Sequence, residues 1–139
     1  MKEFEFAAHE KQVELVLSVG KDPVRVLVDV DKISDALSNL IDNAIIVTDK
    51  GKVTIELIQE KGLIRVLVQD NGPNLSKRDI KNLLGKFEQS KKETDVTVDE
   101  KSFEFYVVRK IIDLHKGKVG IENNSKGQGN TFWFQLAAL

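Results

Sequence analysis

The chain of 139 residues contains no cysteine, so disulfides and thiolate metal sites are excluded, and a reducing compartment is the natural fit. Only two histidines occur, His9 and His115, far apart and with no HxxxH or HExxH spacing. A metal site built from protein ligands alone is therefore not expected. No apolar run approaches the roughly 20 residues of a membrane span, and no stretch reads as a secretory leader. The expectation is a cytoplasmic domain that makes no membrane contact itself. A net charge of −1 supplies no field that would favour nucleic acid or an anionic surface. Internal repeats and low-complexity tracts are missing as well. The nearest thing to a linker is Ser90 to Lys101, polar, charged and without a clear period. With 41% hydrophobic residues, one globular domain with a single core is what remains.

The most informative stretch present is NLIDNAIIVT, Asn39 to Thr48, followed later by DNGPN at Asp70 to Asn74. On a helix, Asn39 and Asn43 share one face, while Leu37, Leu40, Ile41 and Ala44 line the adjacent apolar face. Ile64, Val66 and Val68 alternate as a strand that runs into the Asp70 turn. Two carboxamides on a helix and a carboxylate at a strand end can form the floor of a nucleotide pocket. The same residues can equally cap or cross-link buried backbone, or simply make a turn. The glycine-rich phosphate loop such a pocket also needs is absent.

Elsewhere, Phe4 to Lys11 reads as a short helix and Val13, Leu15 and Leu17 as a strand. Val24 to Val28 reads as another strand, entered at Pro23. Asp31 is the expected N-cap of a helix reaching Val47. Lys52 to Gln59 and Leu63 to Asp70 pair as a hairpin through Glu60, Lys61 and Gly62. Ser76 caps a short helix to Leu84, and a further helix runs from about Phe103 to His115, with Gly117 just beyond. Lys118 to Glu122 and Asn130 to Leu136 form a closing hairpin around Lys126 to Gly129. Strict βαβ alternation is lacking, so the predicted class is α+β: a two-layer α/β sandwich, one largely antiparallel sheet with helices on one face.

Taken in order, NLIDNA, VQDNGPN, KFEQS, VVRKIIDLHKGKVGIEN and GQGNTFWFQL resemble the catalytic, ATP-binding domain of sensor histidine kinases. That domain belongs to the ATPase group shared with gyrase-type topoisomerases and chaperones. The resemblance spans about Val13 to Leu136, and several blocks in order are more specific than any single one. It implies a Bergerat-type ATP-binding fold over residues 1–139, with a truncated first helix and a lid-like segment at about 86–103. The dimerising hairpin with the phosphoacceptor histidine would precede Met1. ATP and magnesium are the implied ligands. Those upstream helices and a response regulator are the implied partners, and autophosphorylation of a histidine is the implied activity. By the same resemblance Asn43 holds magnesium, for which an amide oxygen is a suitable hard ligand. Asn39 stands where topoisomerase relatives carry a water-activating glutamate, and is the one candidate for a catalytic role. Asp70 accepts a hydrogen bond from the adenine amino group, and Gly72 lets the backbone approach the base.

The departures from the family pattern point the other way. Ile46 and Val47 occupy the places of a lysine or arginine and of a tyrosine or phenylalanine. Asn74 replaces the second glycine of DxGxG. Counting back from His115, the family's GxGxG run falls on Glu100, Ser102 and Glu104. Glycines there would let backbone N–H groups wrap phosphates at a helix start. Two carboxylates would instead meet a triphosphate of like sign. Phe103, Phe105 and Tyr106 are expected to cover sheet or core. Phe87 reads as either a core anchor or a docking residue, and Lys86, Lys91 and Lys92 read as a solvated face offset by nearby acids.

The expectation is a degenerate domain, a pseudokinase of two-component signalling, with weak or no ATP binding and with protein contacts as its output. A divergent working domain that phosphorylates an upstream histidine is the second expectation. A phosphotransfer partner that only docks a regulator is the third. For the degenerate domain, Ser90 to Lys101 should be the most mobile internal part, having little apolar surface to bury.

Overall fold

A computed structural model describes residues 2–20, 25–90, 100–125 and 127–139, with backbone alone at 2, 3, 6, 85–90 and 100–104. In chain order the elements are α1 (Lys2–Glu10), β1 (Glu14–Ser18), α2 (Val30–Val47), β2 (Lys52–Glu60) and β3 (Leu63–Gln69). They continue with α3 (Lys77–Ser90), α4 (Glu100–Leu114), β4 (Lys118–Asn123) and β5 (Asn130–Ala137). The five strands form one sheet in the order β1-β2-β3-β5-β4. β1 pairs with β2 in parallel and the other neighbours pair antiparallel.

The period-two pattern of the strands decides which face is covered. Val53 and Ile55, Ile64, Val66 and Val68, Phe132, Phe134 and Leu136, and Ile121 are all buried. Against that face lie Ala36, Leu40, Ile41, Ala44 and Ile45 of α2 and Phe105, Val108, Ile111 and Ile112 of α4. Phe105 meets Phe132 edge-on, with ring centroids 5.7 Å apart. The expected α+β sandwich is the observed one, and the expected cover by Phe105 is part of it.

The helix ends differ from expectation in instructive ways. Asp29, not Asp31, is the N-cap of α2: its side chain accepts from Lys32 N at 3.1 Å. Both aspartates are chemically suitable, but only Asp29 has the extended backbone a cap requires, and Asp31 falls in the first turn. Asp29 N also donates to His115 Nε2 at 3.0 Å, while His115 Nδ1 lies 2.7 Å from Ile111 O. The two bonds together place the ring proton on Nδ1, and the imidazole ties the end of α4 to the start of α2. The C-terminal end of α2 is closed from outside, where Lys11 Nζ donates to Ile46 O.

Ser76 caps α3 as expected, in a reciprocal pair with Asp79. The helix runs on to Ser90 rather than stopping at Leu84, and α4 begins at Glu100 rather than Phe103. Both ends of the lid-like segment are thus helical, and its middle, 91–99, lies outside the described residues. At the end of α4 the left-handed residue is Lys116 (φ 59°), one before the glycine, with Gly117 N bonded to Ile112 O. Gly117 is required for a different reason: a side chain there would sit 2.3 Å from Gln135 O.

The strand expected at Val24 to Val28 does not form within the described part of that segment. Residues 25–29 carry no ladder; Leu139 N donates to Arg25 O at 2.8 Å. Val26 and Val28 still pack on the core, so the alternation recorded burial without strand pairing.

On the open face of the sheet Trp133 lies across Gly120, its register partner on β4, and Arg65 stacks on the indole at 5.1 Å. A Cβ on Gly120 would come within 2.3 Å of the indole ring. Gly120→Ala is therefore expected to displace Trp133 and lower unfolding free energy by about 1–3 kcal/mol, read by urea denaturation. An unchanged midpoint would mean that the ring shifts at no cost.

Candidate functional site

The site is assembled where α2 ends beside the turn that follows β3. Asn39 and Asn43 are both half-buried on α2, one turn apart. Asn43 Oδ1 is enclosed and accepts no hydrogen bond among the described residues. An enclosed amide oxygen without a donor carries a desolvation cost that a hard cation would relieve. On this observation Asn43 fits magnesium.

One turn further along α2, Val47 reaches the Asp70 turn. A Cβ on Gly72 would stand 2.8 Å from Val47 Cγ2 and 2.9 Å from Val47 O. Glycine at 72 is thus demanded by close packing of the turn on the end of the helix, before any base is considered. Ile46 points out, 60% exposed. Thr48, fully buried just past the helix, uses Oγ1 to accept from Asn71 N at 3.1 Å. The AIIVT stretch and the Asp70 turn, separate in sequence, are one packed unit.

Asp70 is completely buried. Its Oδ1 accepts from Gly72 N at 2.8 Å and from Asn130 N at 3.2 Å, and its own N–H donates to Asn130 O at 2.9 Å. The carboxylate therefore joins the β3 turn to the start of β5. Around it lies a network of side-chain amides that the sequence reading did not identify. Asn130, also buried, accepts from Leu75 N and Asn123 Nδ2 and donates to Pro73 O, all at 2.9 Å. Asn124 donates to Asp70 O at 2.8 Å and accepts from Thr131 Oγ1 at 2.8 Å. Asn74, at the place of the missing second glycine, accepts from Gly129 N at 2.6 Å. Gly129 has φ 124° and would put a Cβ 2.0 Å from Asp70 O, so no other residue fits there. The signal available in sequence was the density of Asn and Gly in Asn123 to Asn130, a composition suited to turn and backbone bonding.

The residues at which the resemblance places a glycine run are helical. Glu100, Ser102 and Glu104 belong to the opening turns of α4. Among the described residues no group of three or more His, Asp or Glu could hold a metal, and no helix is long and apolar enough to cross a membrane.

Residues 28–138 match the family described as histidine kinase-, DNA gyrase B- and HSP90-like ATPases, and the chain belongs to that family. It is an ATPase-like domain of the histidine kinase type. The sensor protein GacS of Pseudomonas syringae pv. syringae is 29% identical over 136 residues, covering 94% of this chain and 15% of that protein. The catalytic domain of the histidine kinase ThkA superposes with a TM-score of 0.82 at 25% identity, covering 98% of this chain and 86% of that one. Full-length ShkA in complex with AMPPNP superposes with a TM-score of 0.81 at 25% identity, covering 99% of this chain and 28% of that one. The chain thus spans about a seventh of the curated relative's length.

Proposed function

We propose that this domain is a degenerate ATPase-like module of a two-component sensor kinase, binding ATP weakly or not at all and signalling through protein contacts. The observation that carries this reading is the start of α4 at Glu100, which puts Glu100, Ser102 and Glu104 into helix where the resemblance places a glycine run. Phosphoryl transfer rests on positioning and on neutralising charge. Ile46 supplies no cation, and by the resemblance Glu100 and Glu104 would meet a triphosphate of like sign. The proposed partners are the dimerisation and phosphoacceptor helices of a parent protein and a response regulator. A cytoplasmic position follows from that role.

Asn43 favours a second reading, a divergent domain that still binds ATP with magnesium. Asn43 Oδ1 would hold the ion, Asn39 lies beside it on the helix, and Asp70 with Gly72 would border the base. Magnesium, when bound, would neutralise phosphate charge. The test is melting temperature with and without millimolar ATP and magnesium. A ligand at 100 times its dissociation constant adds ~2.7 kcal/mol of stability, so micromolar binding would raise the midpoint by several degrees. The expected result is no shift. A dissociation constant in the low micromolar range would establish the second reading instead.

A further inference from the structure

Asn71-Gly72 is the single Asn-Gly pair in the chain. Such a pair is the most labile amide sequence in proteins, because glycine leaves the next backbone nitrogen open to approach. In the reaction the Gly72 nitrogen attacks the side-chain carbonyl carbon of Asn71 and a nitrogen–carbon bond forms. The bond to the side-chain amide breaks, and ammonia leaves with the Gly72 amide proton, giving a cyclic imide. Water then opens the ring at the side-chain carbonyl, giving aspartate, or at the main-chain carbonyl, giving isoaspartate with its backbone routed through the side chain.

In this fold each participant is tied down. The nucleophile, Gly72 N, donates its hydrogen to buried Asp70 Oδ1 at 2.8 Å. The electrophilic amide is held at both ends: Asn71 Oδ1 accepts from Lys52 N at 2.6 Å, and Nδ2 donates to Gln128 O at 3.4 Å. The Asn71 backbone is held as well, its N–H by Thr48 Oγ1 at 3.1 Å and its carbonyl by Gln128 Nε2 at 3.3 Å. Ring closure needs rotation of the side chain toward Gly72 N and release of that N–H, and both movements break several of these bonds at once.

We infer that Asn71 is a conditional deamidation site, inert while the turn is closed and converted when it opens. The rate is then set by opening of the turn. Conversion is irreversible and damages the place it reports on. Isoaspartate lengthens the backbone between Asp70 and Gly72 and adds a negative charge beside Asp70, so the contacts to Lys52, Gln128 and Val47 cannot re-form together. The modification would thus convert a transient opening into permanent loss of the pocket floor, a consequence independent of whether ATP binds there.

The test incubates the intact chain at neutral pH and follows the Val66–Lys77 tryptic peptide by mass spectrometry. Fragmentation locates the change, and an isoaspartate-specific methyltransferase counts the rearranged product. The folded chain is expected to convert at least about tenfold more slowly than the same chain unfolded in urea. Thr48→Val and Gln128→Ala, which release the Asn71 N–H and carbonyl, are expected to accelerate conversion in the folded chain. Gln128 is exposed, so that variant should retain the circular dichroism and urea midpoint of the parent chain. Equal rates in folded and unfolded chains would overturn the inference. A folded rate indifferent to both substitutions would overturn it too.

Discussion

Asp70→Ala is expected to lower the unfolding free energy by about 2–6 kcal/mol, since it strands two enclosed N–H groups, each costing ~1–3 kcal/mol when left without an acceptor. Those groups are Gly72 N and Asn130 N, joined by the same carboxylate oxygen. Against a total stability of roughly 5–15 kcal/mol, the loss would be visible as a large drop in the urea midpoint. Asp70→Asn separates structure from recognition. An asparagine oxygen can accept from the same two donors, so Asp70→Asn should cost less stability than Asp70→Ala. If Asp70 served only a ligand, alanine and asparagine would be equally harmless to the empty domain. A midpoint unmoved by Asp70→Ala would therefore refute the anchoring role assigned to it.

How far sequence reached can be judged residue by residue. The α2 face with Asn39 and Asn43, the strand ending at Asp70 and the Ser76 cap were legible because each rests on local periodicity or a local bond. Asp29 and Asp31 could not be separated, because two acceptors two residues apart are equivalent until the backbone of one is known to be extended. Val24 to Val28 misled because apolar alternation records burial on one side, and a strand also needs a neighbour. The glycine at 72 was read toward a ligand, whereas the fold gives it Val47 to accommodate. Asn123, Asn124 and Asn130 stayed hidden because their partners lie up to 60 positions away in sequence, as for Asn130 and Asp70. The start of α4 was the most consequential difference. A run read as lid is helical from Glu100 onward.

That helix start gives the strongest engineering test. Replacing Glu100, Ser102 and Glu104 by glycine should first cost stability, since each helical glycine is disfavoured by up to ~1 kcal/mol, for a total of roughly 2–3 kcal/mol. The same change frees the opening of α4 to leave helical geometry and removes two like charges from the phosphate side. ATP binding should nevertheless return only in part, because Ile46 still offers no cation and Val47 no aromatic surface. Adding Ile46→Lys and Val47→Tyr should bring a further gain larger than those two changes give alone, since cradle and cation act on the same phosphates and couple non-additively. Ile46 is exposed and should accept lysine readily. Val47 packs on Gly72, so tyrosine there must turn its ring away from the Asp70 turn. Calorimetric titration of the three sets with ATP and magnesium measures the coupling directly. Full affinity from the three glycines alone would show that Ile46 and Val47 are neutral replacements and that the helical start of α4 is the whole of the defect.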